Sequence, residues 1–277
     1  MAKKKFDIYE TVTNRIIEKL EQGVVPWVKG WKNGGAVSWK TQKSYRGINT
    51  MLLDEGEWAT FKQISEAGGK VKKGEKSSMC VFWKLLEKED DNGEKENIPL
   101  LRFYNVFEIN RQVEGLQSKR ETETFEHDPI EKCEEVVKGY MDSPDITYER
   151  KGAWYKPGLD IVNVPPMNDF TKVEEFYGTL YHELIHSTGH KSRLNREGVT
   201  GTIKFGSQTY SKEELIAEIG SSFLCNYSGI DNVTIDNSAS YIQSWLRVLK
   251  EDKTFVVSAA QRAQKAADMV LGVKWSD

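Results

Sequence analysis

Cysteine is scarce in this sequence, and its three copies, Cys80, Cys133 and Cys225, lie far apart. They form neither a zinc-knuckle spacing nor a disulfide framework, and read as small buried hydrophobes suited to a reducing cytoplasm. No apolar run reaches the ~18 residues that a membrane span needs, so no membrane partner is expected. The opening MAKKKFDIYE is basic, but no apolar stretch follows it, and no secretory signal is expected. No internal repeat is present. Histidine is also scarce: there are four, and three of them crowd into residues 182–190.

Charge is plentiful but unevenly placed. Residues 1–85 hold 16 Lys+Arg against 9 Asp+Glu, whereas the rest holds 23 against 33. Five of the eight tryptophans also fall in residues 1–85. A chain of 277 residues has room for two domains at ~100–200 residues each. A basic, Trp-rich half joined to an acidic half suggests two jobs. The polar segment QSKRETETFEHD (117–128) has the composition of a linker. We therefore expect an N-terminal domain over 1–125 and a C-terminal domain over 126–277.

In the first half, Ile8, Val12, Ile16 and Leu20 recur every four residues, which predicts a helix over 7–22 ended by Gly23 and Pro26. Residues 57–67 read as a short helix with Trp58, Phe61 and Ile64 on one face. MCVFWKLL (79–86) and LLRFYNVFEI (100–109) read as two hairpin strands joined by a charged turn. The second half opens with a helix near 129–141, then strands near 145–150 and 159–164. Thr171 with Glu174, and Ser211 with Glu214, form possible capping boxes for helices reaching Thr188 and Tyr227. Two amphipathic helices, 237–250 and 254–271, close the chain. The fold class is α+β.

The most specific motif is HELIH at 182–186, inside a predicted helix. Positions i and i+4 share a face, so His182 and His186 can point at one ion. Glu183 stands beside the first ligand, placed to take a proton from a water that zinc would acidify from 15.7 to about 7. An ordinary solvated helix face is the plain alternative. A catalytic zinc takes three protein ligands and keeps an open position. His190 is near, but the longer H-E-x-x-H-x-x-G-x-x-H spacing would put its last histidine at 192, which is Ser192. His190 then reads as a capping group or one that orients a ligand. The rival third ligand is a carboxylate from SKEELIAEIGSSFL (211–224), where Glu214 and Glu218 share a face near apolar flanks. Unpaired acids at a core edge cost several kcal/mol unless a cation answers them. HELIH followed by E-x-x-A-E resembles gluzincin peptidases. That resemblance implies Glu214 as the ligand and Glu218 as the group that orients a ligand histidine, with the reverse assignment as its rival.

In the N-terminal half, WVKGWKNGGAVSWK, YRGIN and KVKKGEK mix aromatics with cations. Such mixtures suit single-stranded nucleic acid, where bases stack on aromatic faces and cations follow phosphates. A core role for the tryptophans is the plain alternative. The candidates for DNA contact are Trp31, Trp39, Tyr45, Arg46, Lys72, Lys73 and Lys76.

HELIHSTGHKSRLNRE and YSKEELIAEIGSSFL, with DIVNVPP before them and SYIQSWLRVLKEDKTFVVSAAQRAQKAADMV after, resemble the ArdC family of antirestriction proteins. DIYETVTNRIIEKLEQGVVPW and YRGIN are similar to that family's single-stranded-DNA-binding domain, which also occurs in TraC primases. Ser187 departs from the Trp expected there in many members. The resemblance spans about residues 7–271. It implies a mobile-element or phage protein that protects transferred single-stranded DNA, with a zincin-like C-terminal domain, a Zn2+ cofactor and an unidentified host protein as peptidase substrate. The alternative is a DNA-coating protein whose zinc is structural.

Overall fold

Helix α1 (Ile8–Glu21) forms where the four-residue period predicts it, and Val12, Ile16 and Leu20 are all buried. The computed structural model describes residues 6–27, 35–89, 95–119, 129–201, 207–230 and 238–273. The chain divides into two compact units: Met1–Val12 with Asn33–Glu123, and Thr13–Lys32 with Thr124–Asp277. A single cut at 125/126 does not describe this division, because the segment 13–32 goes with the C-terminal residues. Side-chain bonds give the reason: the Thr13 hydroxyl donates to the Lys253 carbonyl, Glu21 pairs with Lys250 at 2.6 Å, and Trp27 meets Trp245 edge-on at 5.2 Å. An indole buried against another indole is worth several times a surface ion pair.

The first unit is built on a four-stranded sheet. Its strands are β1 (Ala36–Ser38), β2 (Gly56–Thr60), β4 (Ser78–Glu89) and β5 (Lys95–Glu108), in the order β1-β2-β5-β4. Strands β1 and β2 are parallel and the other pairs antiparallel. A ribbon of β3 (Lys70–Val71) and β6 (Val113–Glu114) lies beside short helices α3 (Phe61–Glu66) and α4 (Ile109–Gln112), while α2 (Asn49–Leu52) lies against β4. The expected helix over 57–67 is therefore half strand. Trp58 lies in β2, buried, with its indole N–H donating to the Asp54 carbonyl. Thr60 ends the strand and caps α3 in a full capping box with Gln63. The cap decides the boundary, because it satisfies helix N–H groups that would otherwise lack partners.

The second unit contains α5 (Pro129–Gly139), β7 (Asp145–Thr147), β8 (Trp154–Lys156) and β9 (Ile161–Asn163), then α6 (Val173–Ser187), α7 (Glu197–Thr200), α8 (Gln208–Ser228), α9 (Ser238–Glu251) and α10 (Phe255–Val270). The sheet order is β7-β9-β8, so β8, a strand that sequence periodicity missed, lies on an edge. Helices α6 and α8 pack closely because Gly220 of α8 faces Ile185 of α6. A Cβ on residue 220 would come within 2.9 Å of the Ile185 side chain. Both expected capping boxes are absent. Helix α6 starts at Lys172 without a side-chain cap, and α8 starts at Ser207, which accepts from the Tyr210 N–H. Ser211 lies inside α8 and bonds Ser244, so the Glu214 carboxylate is released from capping. No helix among the described residues is long and apolar enough to cross a membrane.

Candidate metal centre

His182 and His186 stand one turn apart on α6, and Glu214 and Glu218 stand one turn apart on α8. The two Nε2 atoms are 3.1 Å apart. Glu214 brings one carboxylate oxygen to 3.5 Å from His182 Nε2 and the other to 3.5 Å from His186 Nε2. Tetrahedral ligands bound at ~2.0–2.2 Å lie about 3.3–3.6 Å from one another. The three donors therefore fit around one divalent ion, and among the described residues they are the only such group found.

The far side of each ring is held by another acid. His182 Nδ1 faces Glu218 at 3.6 Å, an ion-pair distance too long for a hydrogen bond, and His186 Nδ1 meets Glu213 at 3.2 Å. A carboxylate at Nδ1 keeps the ring proton there and leaves the Nε2 lone pair for a ligand bond. Glu213 is itself gripped by Arg196, whose Nη2 and Nε donate to it at 2.6 and 3.0 Å. Arg196 also donates to the Thr188 hydroxyl and the Ile185 carbonyl, tying the grip back to α6.

Electrostatics follow this geometry. Burial alone would raise the Glu214 pKa, but the two imidazoles hold it far below the ordinary carboxylate range. Burial would lower His186, and Glu214 and Glu213 instead raise it well above the usual imidazole value. Burial raises the Glu183 pKa, opposed by both histidines and by a hydrogen bond from the Tyr155 backbone N–H. Burial also raises Glu218, whose Oε2 has no hydrogen-bond partner. A cavity of about 360 Å³ opens on the site, bordered by His182, Glu183, His186 and Glu214, with Trp154 and Tyr155 of β8 opposite.

Residues 6–107 match the family described as the N-terminal domain of anti-restriction factor ArdC. Residues 132–262 match the family described as zincin-like metallopeptidase. The crystal structure of antirestriction ArdC protein from the R388 plasmid, in its Mn(II)-bound form, is 36% identical. It superposes with a TM-score of 0.78 over 97% of this chain and 98% of that one. The chain belongs to the ArdC family of antirestriction proteins. Its metal-free R388 counterpart aligns with a TM-score of 0.76 at 37% identity, over 96% of this chain and 97% of that one. Uncharacterized protein y4eC of Sinorhizobium fredii is 31% identical over 95% of this chain and 91% of its own length. An Escherichia coli DNA primase TraC is 34% identical over 98% of this chain, yet the chain spans only 28% of that primase, and 20% of a second one.

Within this ArdC fold, HELIH and the later acids converge, but other expected residues do not. His190 lies outside the donor group: its Nδ1 bonds the Ser192 hydroxyl at 2.7 Å and shapes the turn after α6. Gly189, just past the end of α6, has no positive φ. It is needed for space, because a Cβ there would come within 2.5 Å of Val199. Trp39 is buried in the core with Ile64 and Ile109, donates to the Gln117 carbonyl and carries Lys119 over its ring, so it offers no free face for stacking. Lys72 is committed to the Arg111 carbonyl at 2.8 Å. Arg46, Lys73 and Lys76 are exposed, Tyr45 is half-buried, and Trp31 lies outside the described residues.

Glu213 and Arg196 escaped sequence reasoning, because no local pattern announces a contact between α8, the segment after α6 and His186. Arg196→Met should lower stability by about 3–5 kcal/mol, because it strands a buried carboxylate. Replacing Glu213 by Gln in the same chain should recover part of that loss. Thermal denaturation of the two variants measures it, and an Arg196→Met chain as stable as wild type would remove Arg196 from this role.

Proposed function

We propose that the chain binds single-stranded DNA through the unit built on Asn33–Glu123 and hydrolyses peptide bonds of a host protein at a zinc site in the unit built on Thr124–Asp277, acting in the cytoplasm. The observation that carries the enzymatic half is the convergence of His182, His186 and Glu214 beside an unligating Glu183 that borders a cavity. Two imidazoles and one carboxylate suit zinc, and the Mn(II)-bound form of R388 ArdC supports binding of a divalent ion. When bound, such an ion supplies Lewis acidity, acidifying a water and polarising a carbonyl.

The protein groups do the rest. Glu183, with its pKa raised by burial, is suited to take a proton from the attacking water and pass it to the leaving amine. Glu218 and Glu213 hold the two imidazoles in register. The peptide reading draws support from β8: it is an edge strand along the cavity, and its outer edge pairs with no described strand. An extended peptide could add there by backbone hydrogen bonds. A structural metal would be closed by four protein ligands, and among the described residues three are gathered. The reading in which the metal is structural and DNA coating does all the work therefore has less support.

The DNA half is supported by the 16-to-9 excess of basic residues in positions 1–85 and by the match to the N-terminal domain of ArdC. Fluorescence anisotropy on the full chain tests it. Single-stranded oligonucleotide should bind more tightly than duplex, with affinity falling as salt rises. Binding should survive chelation. Equal affinity for duplex and single strand would overturn this half.

A further inference from the structure

The register of the β4/β5 hairpin sorts its aromatic residues onto two faces. Phe82 pairs with Arg102 and Cys80 with Tyr104, so Phe82, Tyr104, Arg102 and Lys84 share one side of the sheet. Val81 pairs with Phe103 and Trp83 with Leu101 on the other side. On that second side each ring has an aromatic partner from the N-terminal segment, Phe6 on Phe103 at 5.2 Å and Tyr9 on Trp83 at 6.3 Å, and Trp83 and Phe103 stay 38% exposed. On the first side, Phe82 meets Tyr104 at 5.7 Å and remains 42% exposed. Arg102, directly opposite Phe82, and Lys84, two residues along the same strand, are exposed cations. No acid among the described residues pairs with either.

This step leads into a cavity of about 380 Å³, bordered by Tyr104, Tyr45, Thr60, Gln63, Ser44 and Lys43. Its size is at the lower end of the ~300–1,000 Å³ typical of small-ligand sites. Its wall is hydroxyl and amide, groups that both donate and accept. Burial raises the Tyr45 hydroxyl to about 12, so it remains a neutral donor at ordinary pH. An exposed ring, flanking cations and an amphoteric cavity match the parts of an unpaired nucleotide: a π-face, a phosphate and a base edge. A duplex hides its base faces in the stack and cannot use the ring.

We propose that Phe82, Tyr104 and the cavity beyond them form the track of single-stranded DNA. One base stacks on Phe82, a neighbouring base enters the cavity against Tyr45 and Tyr104, and Arg102, Lys84 and Lys43 meet the phosphates. This rests on the reading that the N-terminal unit binds single-stranded DNA, and adds the face that does so. Stacking on any base and bonding through groups of both polarities give little sequence preference.

The test uses the full chain and a labelled oligo-dT, with anisotropy read at several salt concentrations and circular dichroism checking each variant's fold. Phe82→Ala should weaken binding about 5- to 150-fold and leave the salt slope unchanged. Arg102→Gln and Lys43→Gln should each flatten the slope of log affinity against log salt by about 0.7. Trp83→Ala, on the opposite face of the same strand, should bind as wild type does. If wild type binds but Phe82→Ala and Arg102→Gln keep its affinity and slope, the track is wrong and the DNA reading stands. If Trp83→Ala alone loses affinity, the strand runs on the other face and the track is again wrong. A wild-type chain that does not bind oligo-dT overturns both.

Discussion

The purified chain should hold about one zinc ion, and His182→Ala, His186→Ala or Glu214→Ala should each lose most of it. The expectation follows from donor arithmetic. Three side chains converge within 4.8 Å, and removing one leaves two donors and a more open site. Removing a group that only orients a ligand typically costs 10–100-fold in affinity. The loss for a ligand should exceed that, and the loss for Glu218→Ala or Glu213→Gln should lie within it. Glu183→Gln should keep the metal, since Glu183 is not among the converging donors. Elemental mass spectrometry and a competition titration measure the series. If Glu218→Ala costs more than Glu214→Ala, the ligand moves one turn along α8. A metal-free wild type that takes up neither zinc nor manganese would sink the site.

Glu183→Gln should abolish proteolysis while leaving metal content, fold and DNA binding intact. A positioned general base contributes about 10²–10⁴-fold to rate, and glutamine keeps the shape of glutamate without its basicity. The side chain is buried at the cavity wall, and burial moves its pKa towards the range in which a carboxylate can both take and return a proton. The measurement is proteomics of new protein N-termini in recipient cells expressing wild type or Glu183→Gln. Termini present only with wild type identify the substrate. Identical sets from both would remove the peptidase reading and favour a metal that only braces α6 against α8. Because DNA binding is assigned to the other unit, the same two proteins should bind oligo-dT alike.

Legibility in the sequence tracked how local the signal was. The i, i+4 spacing of HELIH is complete within five residues, so the two imidazoles could be placed on one face from spacing alone. Glu214 and Glu218 were legible as a pair for the same reason. The choice between them rested on resemblance, since a helix period cannot say which turn of α8 faces α6. The packing of α8 on α6 turns Glu214 towards both Nε2 atoms, and the approach of Gly220 to Ile185, 35 positions apart, is part of that packing. The Ser211 capping box fails because S-x-x-E also occurs inside helices. Ser211 bonds Ser244 of another helix, a partner that no local pattern announces.

Composition divides the chain into a basic, aromatic half and an acidic half, but does not place individual residues. Trp39 is the kind of residue that stacks on bases, yet it is core, because a small unit fills its interior with the largest apolar side chains it has. Phe82 and Tyr104 lie on one side of the hairpin and Trp83 and Phe103 on the other, a sorting that strand register makes. By itself, then, the sequence determined that His182 and His186 share one helix face with Glu183 beside them, the α+β class and the charge division, all of which depend on spacing and composition. Only the tertiary structure decided which acid converges with the two histidines, that Arg196 and Glu213 lie behind His186, that residues 13–32 pack with the C-terminal half, and which side of the hairpin each aromatic takes. Each of these depends on which distant side chains share a volume, and that is settled by packing rather than by neighbours in the chain.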